Sequence, residues 1–221
     1  KKIYTATSTN GHYLTEDNAR STIESGLDRL IISIDGTTQE VYQQYRVGGN
    51  LQKVLEGTRR VVAWKKKLKS RTPFIIFQFL VVKPNEHQLD DAKKLAHEMG
   101  VDAIWFKTAQ VYDFENDPNE LIPVNAKYSR YKKTSAGTHF KGNLTNHCWR
   151  LWHDPVITWD GLVAPCCFDK DASHVLGNVT DQHFRGIWKS KEYQKFRYAV
   201  LVNRQEIDIC KNCSEGTKVW S

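Results

Sequence analysis

Leu30-Ile31-Ile32-Ser33-Ile34-Asp35-Gly36 is a short apolar run that stops at an acid and a glycine. The run is continuous, not alternating, and so reads as a strand of a parallel sheet covered on both faces. Two further runs follow, Phe74-Ile75-Ile76-Phe77-Gln78-Phe79-Leu80-Val81-Val82 and Ala103-Ile104-Trp105-Phe106. Helical patterns fill the intervals. Thr15 is placed to cap a helix ending at Ser25-Gly26, with Gly26 suited to the left-handed position after a helix. Thr37-Thr38-Gln39-Glu40 has capping-box spacing for a short helix through Tyr45. A longer helix follows, with Leu51, Val54, Leu55, Val61, Val62 and Leu68 at helical spacing. Asn85, with Gln88 three positions on, opens another, which carries Leu89, Ala92, Leu95, Ala96 and Met99 and ends at Gly100. Strands joined by helical crossovers pair in parallel, so the fold class is α/β, either a doubly wound sheet or part of a (βα) barrel.

The chain has 221 residues, 40% apolar and 26% charged, enough for one large domain with an appendage and too apolar for a mostly disordered chain. The longest apolar run, Phe74 to Val82, is well short of the roughly 18 residues of a membrane span, and the N-terminus has no signal-peptide pattern. The chain starts without Met, a few residues before Ser8-Thr9-Asn10-Gly11, which has the form of a strand end running into a turn; it reads as a piece of a longer protein. The net charge of +7 invites a nucleic-acid reading. Arg59, Arg60, Lys65, Lys66, Lys67, Lys69 and Arg71, however, match that whole excess in one segment. They fill the polar face of the long amphipathic helix, and a solvated helix face accounts for them.

After Gln110 the composition changes. Residues 113–120 are acidic, residues 126–143 are basic and poor in apolar side chains, and 111–147 reads as a linker between a first domain, 1–110, and a small domain, 148–221. That last part opens with a hairpin, Pro155 to Trp159 and Leu162 to Pro165 around Asp160-Gly161, and continues into a helix around Ile187 to Val200.

All five cysteines, Cys148, Cys166, Cys167, Cys210 and Cys213, lie in this last part. An odd number, clustered, with no export signal, points to a reduced, cytoplasmic setting where such thiols bind metal. Cys210-Lys211-Asn212-Cys213 has the spacing that turns two sulfurs toward one metal. Cys148 enters the hairpin and Cys166-Cys167 leave it, so a second pair of thiolates can be offered to the first. Zinc and an iron–sulfur cluster both suit such a set.

Taken together, these features resemble the radical S-adenosylmethionine (SAM) enzymes that carry a C-terminal SPASM domain. Ser8-Thr9-Asn10-Gly11 looks like the end of the family's third barrel strand. Ile32 to Gly36, then Tyr42, Tyr45-Arg46 and Gly48-Gly49, resembles the fourth strand and its loop. Gln78 to Val81 with Asn85-Glu86 resembles the fifth strand, and Trp105-Phe106-Lys107 the sixth. In the tail, Cys148, Gly161, Cys166, Gly177-Asn178, Ile187-Trp188 and the Cys210/Cys213 pair follow the pattern of a SPASM domain with one auxiliary cluster. The resemblance implies an α/β fold: a partial radical-SAM barrel of about strands 3–6, then a small Cys-rich α+β domain with a β-hairpin.

It also implies a function: an oxidoreductase or maturase in which a 5′-deoxyadenosyl radical abstracts a substrate hydrogen. The auxiliary [4Fe–4S] cluster would be held by Cys148, Cys166, Cys210 and Cys213, with Cys167 as the alternative to Cys166. SAM would lie at the C-terminal strand edge, where βα barrels build active sites, against Ser33, Asp35, Gln78 and Arg46; Lys107, at the next strand end, has a less defined part. A peptide or small-molecule substrate and an external electron donor would be the partners, with no membrane and no nucleic acid. Two departures stand out. No Cys precedes Cys148, so the C-x3-C-x2-C motif that ligates the second, catalytic [4Fe–4S] cluster is not in this chain, which the resemblance implies is inactive by itself. Relatives that modify peptides place an Asp directly after the hairpin cysteine; that position is Cys167 here, and Asp169 is only the nearest acid and a weak catalytic candidate. The alternative function is a zinc-stabilised α/β binding module without catalysis.

Overall fold

The structure, a computed structural model, describes residues 3–214, so the end of the expected 148–221 domain, 215–221, lies outside the described residues. The chain divides into two compact units, Lys1–Tyr131 and Lys132–Ser221.

The first unit is built on a four-stranded parallel sheet in the order β1-β2-β3-β4: β1 (Ala6–Thr9), β2 (Arg29–Ser33), β3 (Phe74–Val81) and β4 (Ala103–Thr108). Helix α1 (Glu16–Glu24) joins β1 to β2, α2 (Gln39–Tyr45) and α3 (Leu51–Lys67) join β2 to β3, and α4 (Leu89–Met99) joins β3 to β4. Each helix begins or ends as its local sequence directs. The Thr15 hydroxyl accepts from Asn18 N at the start of α1, Asn50 Oδ1 accepts from Lys53 N at the start of α3, and Gly100 takes the left-handed conformation after α4.

Strand order follows chain order without reversal, and α1, α3 and α4 pack on one face of the sheet. Ala19, Ile23, Leu51, Val54, Val61, Val62, Ala96 and Met99 bury Leu30, Ile32, Ile75 and Phe77 there. A doubly wound sheet needs a reversal of strand order with helices on both faces, so that alternative is excluded for the described residues. The expectation of a strand covered on both faces is corrected as well. In β2 only Leu30 and Ile32 are buried while Arg29, Ile31 and Ser33 are half-buried, because every crossover helix lies behind Leu30 and Ile32. The other face carries the in-register row Ser33–Gln78–Trp105 and, next along the strands, Leu80–Lys107.

Smaller expectations shift too. The cap of α2 is Thr38, not Thr37: the Thr38 hydroxyl accepts from Val41 N, while Thr37 N donates to Gln88 Oε1. Asn85 caps no helix; a 3₁₀ turn, Glu86–Gln88, precedes α4, and Asn85 and Gln88 turn toward the loop after β2. Lys69 and Arg71 lie past the end of α3. On α3 three of the cations have partners: Lys65 with Asp102 at 2.6 Å, Arg60 with Glu56, and Lys67 over the Trp64 ring.

The stretch read as a linker is structured. Asp117 accepts from Leu121 N and Ile122 N, Tyr131 is buried with its hydroxyl bonded to Val111, and β5 (Tyr131–Thr134) forms a two-stranded sheet with β6 (Gly137–Phe140).

The second unit holds the expected hairpin, β7 (Val156–Ile157) antiparallel to β8 (Leu162–Ala164), with β9 (Gly177–Asn178) added beside β8. The single helix expected around 187–200 is two, α5 (Phe184–Trp188) and α6 (Lys191–Asn203); Ser190 breaks them because its hydroxyl accepts from Tyr193 N as the α6 cap. Leu151, Val163, Leu176, Ile187, Tyr193, Val200 and Cys210 form this unit's core. No helix among the described residues is long and apolar enough to cross a membrane.

Candidate cluster and cofactor sites

In the second unit the last two thiols are set by a tight turn. Cys210 closes a 3₁₀ turn, Asp208–Cys210, with its N–H donating to Ile207 O, and Cys213 N donates back to Cys210 O at 3.1 Å. Both side chains are buried, Cys148 and Cys166 are half-buried, and Cys167 is exposed. Burial pushes the Cys210 thiol up to about 12; Arg204 opposes that shift, and Cys166, Cys213 and Cys148 add to it. Cys166 is pushed up to about 11, again chiefly by burial, with Cys167 and Cys213 adding to it. Among the described residues no three His, Cys, Asp or Glu side chains are drawn together as ligands of a single ion.

Three side chains fix the segments that carry the thiols, and two of them have no counterpart in the sequence reading. Arg204 is fully buried after α6; its Nη1 donates to His147 O at 3.0 Å, and its N–H donates to Asn146 Oδ1, so it holds the stretch entering Cys148. His174 Nε2 lies 2.7 Å from Asp208 Oδ1, tying the loop after Cys166 to the Cys210 turn and holding the Asp208 carboxyl below its usual range. Asp169, the weak catalytic candidate, is buried, with Oδ1 accepting from Ser173 N and Oγ and Oδ2 accepting from His174 N. It closes the loop that follows Cys166, and its own N–H donates to Cys166 O at 3.2 Å.

Helix α6 also directs Tyr193 and Arg197 inward. The Tyr193 side chain is fully buried, and its hydroxyl has no hydrogen-bond partner among the described residues. Arg197 Nη1 donates to Trp188 O, while Nε and Nη2, also out of water, have no partner among the described residues. Tyr193, Arg197, Val200 and Arg204 recur at helical spacing, so two arginines occupy an otherwise apolar stripe. That was the available sequence signal for them.

In the first unit, Asp35 lies just past β2. Its Oδ2 is 2.5 Å from Arg46 Nε, its Oδ1 accepts from Leu80 N at 2.6 Å, and its carbonyl accepts from Asn85 Nδ2. Burial raises the carboxyl's pKa while Arg46 and the Leu80 N–H pull it down. Asp35 and Arg46 are thus brought together, against each other. Tyr42 is fully buried behind them; a Cβ on Gly36 would come within 2.6 Å of Tyr42 N, and one on Gly49 within 2.7 Å of its ring. The glycines of this motif make room for Tyr42.

Ser33 and Gln78 lie side by side on the sheet face that carries no helix, next to Trp105. The Arg29 and Lys107 cations sit 5.1 and 5.4 Å from the Trp105 ring centroid, and Arg29 Nε is buried without a partner among the described residues. Ser33, Gln78 and Lys107 share this face, while Asp35 and Arg46 lie beyond the strand end.

Residues 148–214 match the SPASM family, an iron–sulfur cluster-binding domain. The chain is 25% identical, over 94% of its length and 64% of the relative's, to the tungsten-containing aldehyde ferredoxin oxidoreductase cofactor-modifying protein of Pyrococcus furiosus. It is 37% identical to the S-adenosyl-L-methionine-dependent 2-deoxy-scyllo-inosamine dehydrogenase of Niallia circulans over 27% of this chain and 24% of that protein. A solved structure of histidine-tagged anSMEcpe with bound AdoMet shares the fold, with a TM-score of 0.54 at 16% identity over 95% of this chain and 65% of that one. The chain spans less than two thirds of the length of each.

Proposed function

We propose that this chain, a radical SAM/SPASM protein, is the C-terminal portion of a cytoplasmic oxidoreductase or maturase that abstracts a hydrogen from a peptide or small-molecule substrate. One observation carries the reading: Cys148, Cys166, Cys210 and Cys213 all lie inside the segment, residues 148–214, that matches an iron–sulfur cluster-binding domain.

The donor set fits a [4Fe–4S] cluster. The segment carries four soft thiol donors, of which Cys210 and Cys213 are buried, and burial raises the Cys166 and Cys210 thiols. Donor hydrogens of Tyr193, which shares a core with Cys210, and of the adjoining Arg197 have no protein acceptors among the described residues; the sulfurs of an anionic cluster are such acceptors. Cys148, Cys166, Cys210 and Cys213 would hold it. Cys166 is preferred to Cys167, whose side chain is exposed. Such a cluster supplies one-electron chemistry, fed by an external donor.

The first unit is read as part of a (βα) barrel through about residue 110, leading by 111–147 into the cluster domain, 148–221. Ser33 and Gln78 on the helix-free sheet face would contact SAM, whose bound form supplies the abstracting radical. Asp35 keeps Arg46 at the strand end, where the guanidinium is 30% exposed and able to meet a carboxylate. Lys107, exposed on the same face, is available to the substrate. All five cysteines lie in the tail, so this chain would not ligate the second cluster and would be inactive alone.

Anaerobic expression with iron and sulfide is expected to yield brown protein with about four irons per chain. Cys210→Ala with Cys213→Ala is expected to lose both colour and iron. One zinc per chain without sulfide would overturn the reading in favour of a zinc-stabilised module.

A further inference from the structure

The donors on α6 go beyond the four ligands. Tyr193 is fully buried in the core that contains Cys210 and against which Cys148 packs, and its ring lies 4.8 Å from that of Trp188. The Arg197 guanidinium carbon sits 4.1 Å from the Tyr193 ring centroid and 4.3 Å from the Trp188 centroid. Burying a hydroxyl and two guanidinium N–H groups with nothing to accept from them is costly, so an apolar core of this size would exclude them unless an acceptor occupied the pocket. The acceptor is anionic, since the pocket offers donors and a positive charge, and it borders the core that Tyr193 shares with Cys210.

We infer that the Tyr193 hydroxyl, backed by the Arg197 charge, donates a hydrogen bond to a sulfur of the cluster and raises the cluster's reduction potential. The inference rests on the cluster reading above. The couple takes up one electron from an external low-potential reductant and makes or breaks no bond. The added negative charge is stabilised by the O–H dipole and the guanidinium, and hydrogen bonds to cluster sulfurs together with nearby charge are among the quantities that set such potentials. Tyr193 is a positioning and tuning residue; it touches neither SAM nor substrate in this proposal.

The test is an EPR-monitored redox titration of the anaerobically reconstituted 221-residue chain beside Tyr193→Phe and Arg197→Gln, with iron and sulfide measured in each. Both variants are expected to keep a full cluster and to shift its midpoint to more negative potential. The cluster-free Tyr193→Phe chain is expected to melt no lower than the cluster-free parent, since the deleted oxygen has no protein partner among the described residues. Unchanged midpoints with full clusters overturn the inference and leave the cluster reading intact. A Tyr193→Phe chain that melts lower or fails to fold without the cluster also overturns it, because the hydroxyl would then serve the protein itself. A parent chain without iron and sulfide overturns the cluster reading beneath it.

Discussion

Asp35 is 1% exposed and Arg46 30%, and that asymmetry decides what the pair does. A carboxylate out of water must be met at both oxygens; here Arg46 meets one and the Leu80 N–H the other. Replacing Arg46 by Met would leave the buried charge with a single neutral donor. We expect a stability loss of about 2–4 kcal/mol at pH 7 by chemical denaturation, set toward the lower part of the buried-pair range by the partial exposure of Arg46. The pH dependence has a definite sign. Burial raises the folded-state pKa of Asp35 above its ordinary 3.8, and Arg46 opposes that rise. A raised carboxyl contributes stability in full below its unfolded pKa and loses it as pH rises through the folded pKa. Removing Arg46 raises the folded pKa further, so the penalty in Arg46→Met should shrink as the solution is acidified toward the ordinary carboxylate range. A penalty that is flat with pH would show that the pair is not what holds Asp35. The expected contact of Asp35 with SAM was drawn from a motif, and a motif does not tell whether an acid at a strand end meets a ligand or its own chain.

Helix α3 shows how an element can obey a neighbour in place of its own propensity. Gly57 lies in its middle, where alanine is the better helix former by about 1 kcal/mol. A Cβ there would stand 2.7 Å from Leu14 Cβ and 2.9 Å from the Gly11 carbonyl oxygen. Gly57→Ala is therefore expected to destabilise the chain by about 1–3 kcal/mol, the cost of overpacking, measured as a lowered denaturation midpoint with unchanged denaturant dependence. A stabilised variant would mean that α3 and the loop between β1 and α1 yield at this contact. Legibility follows the same division. The apolar runs of β2, β3 and β4 and the periodic helices α1, α3 and α4 were readable because period and caps are local. Which sheet face the helices cover was not, since Leu30 to Ile34 has the same apolar content whether one side or both are packed. The break between α5 and α6 was missed because Ser190 as a cap competes with a continuous apolar pattern around it. The crowding of the cysteines into the last part is legible in the sequence, whereas Arg204 and His174 act through partners remote in sequence.

Each unit has its own core, and the two differ in what sustains them. The first rests on strands of four to eight residues with three helices laid against them. In the second the strands β7 to β9 are two or three residues long, and its cysteines come from both ends of the 148–214 segment and from the end of the hairpin. A cluster on Cys148, Cys166 and Cys210 closes long loops in the unfolded chain, and cross-links of that span contribute about 4 kcal/mol on chain entropy alone. Metal removal should then loosen one unit and spare the other. With iron stripped anaerobically by a chelator, amide exchange in β8 and in α6 is expected to rise about a thousandfold, equivalent to about 4 kcal/mol. Exchange in β2 and β3 should stay as it was, because their protection comes from Leu30, Ile32, Ile75 and Phe77 packed against α1 and α3. Equal acceleration in both units would mean that the cluster stabilises the whole chain as one cooperative body. No acceleration in α6 would mean that the core around Tyr193 and Val200 holds without it.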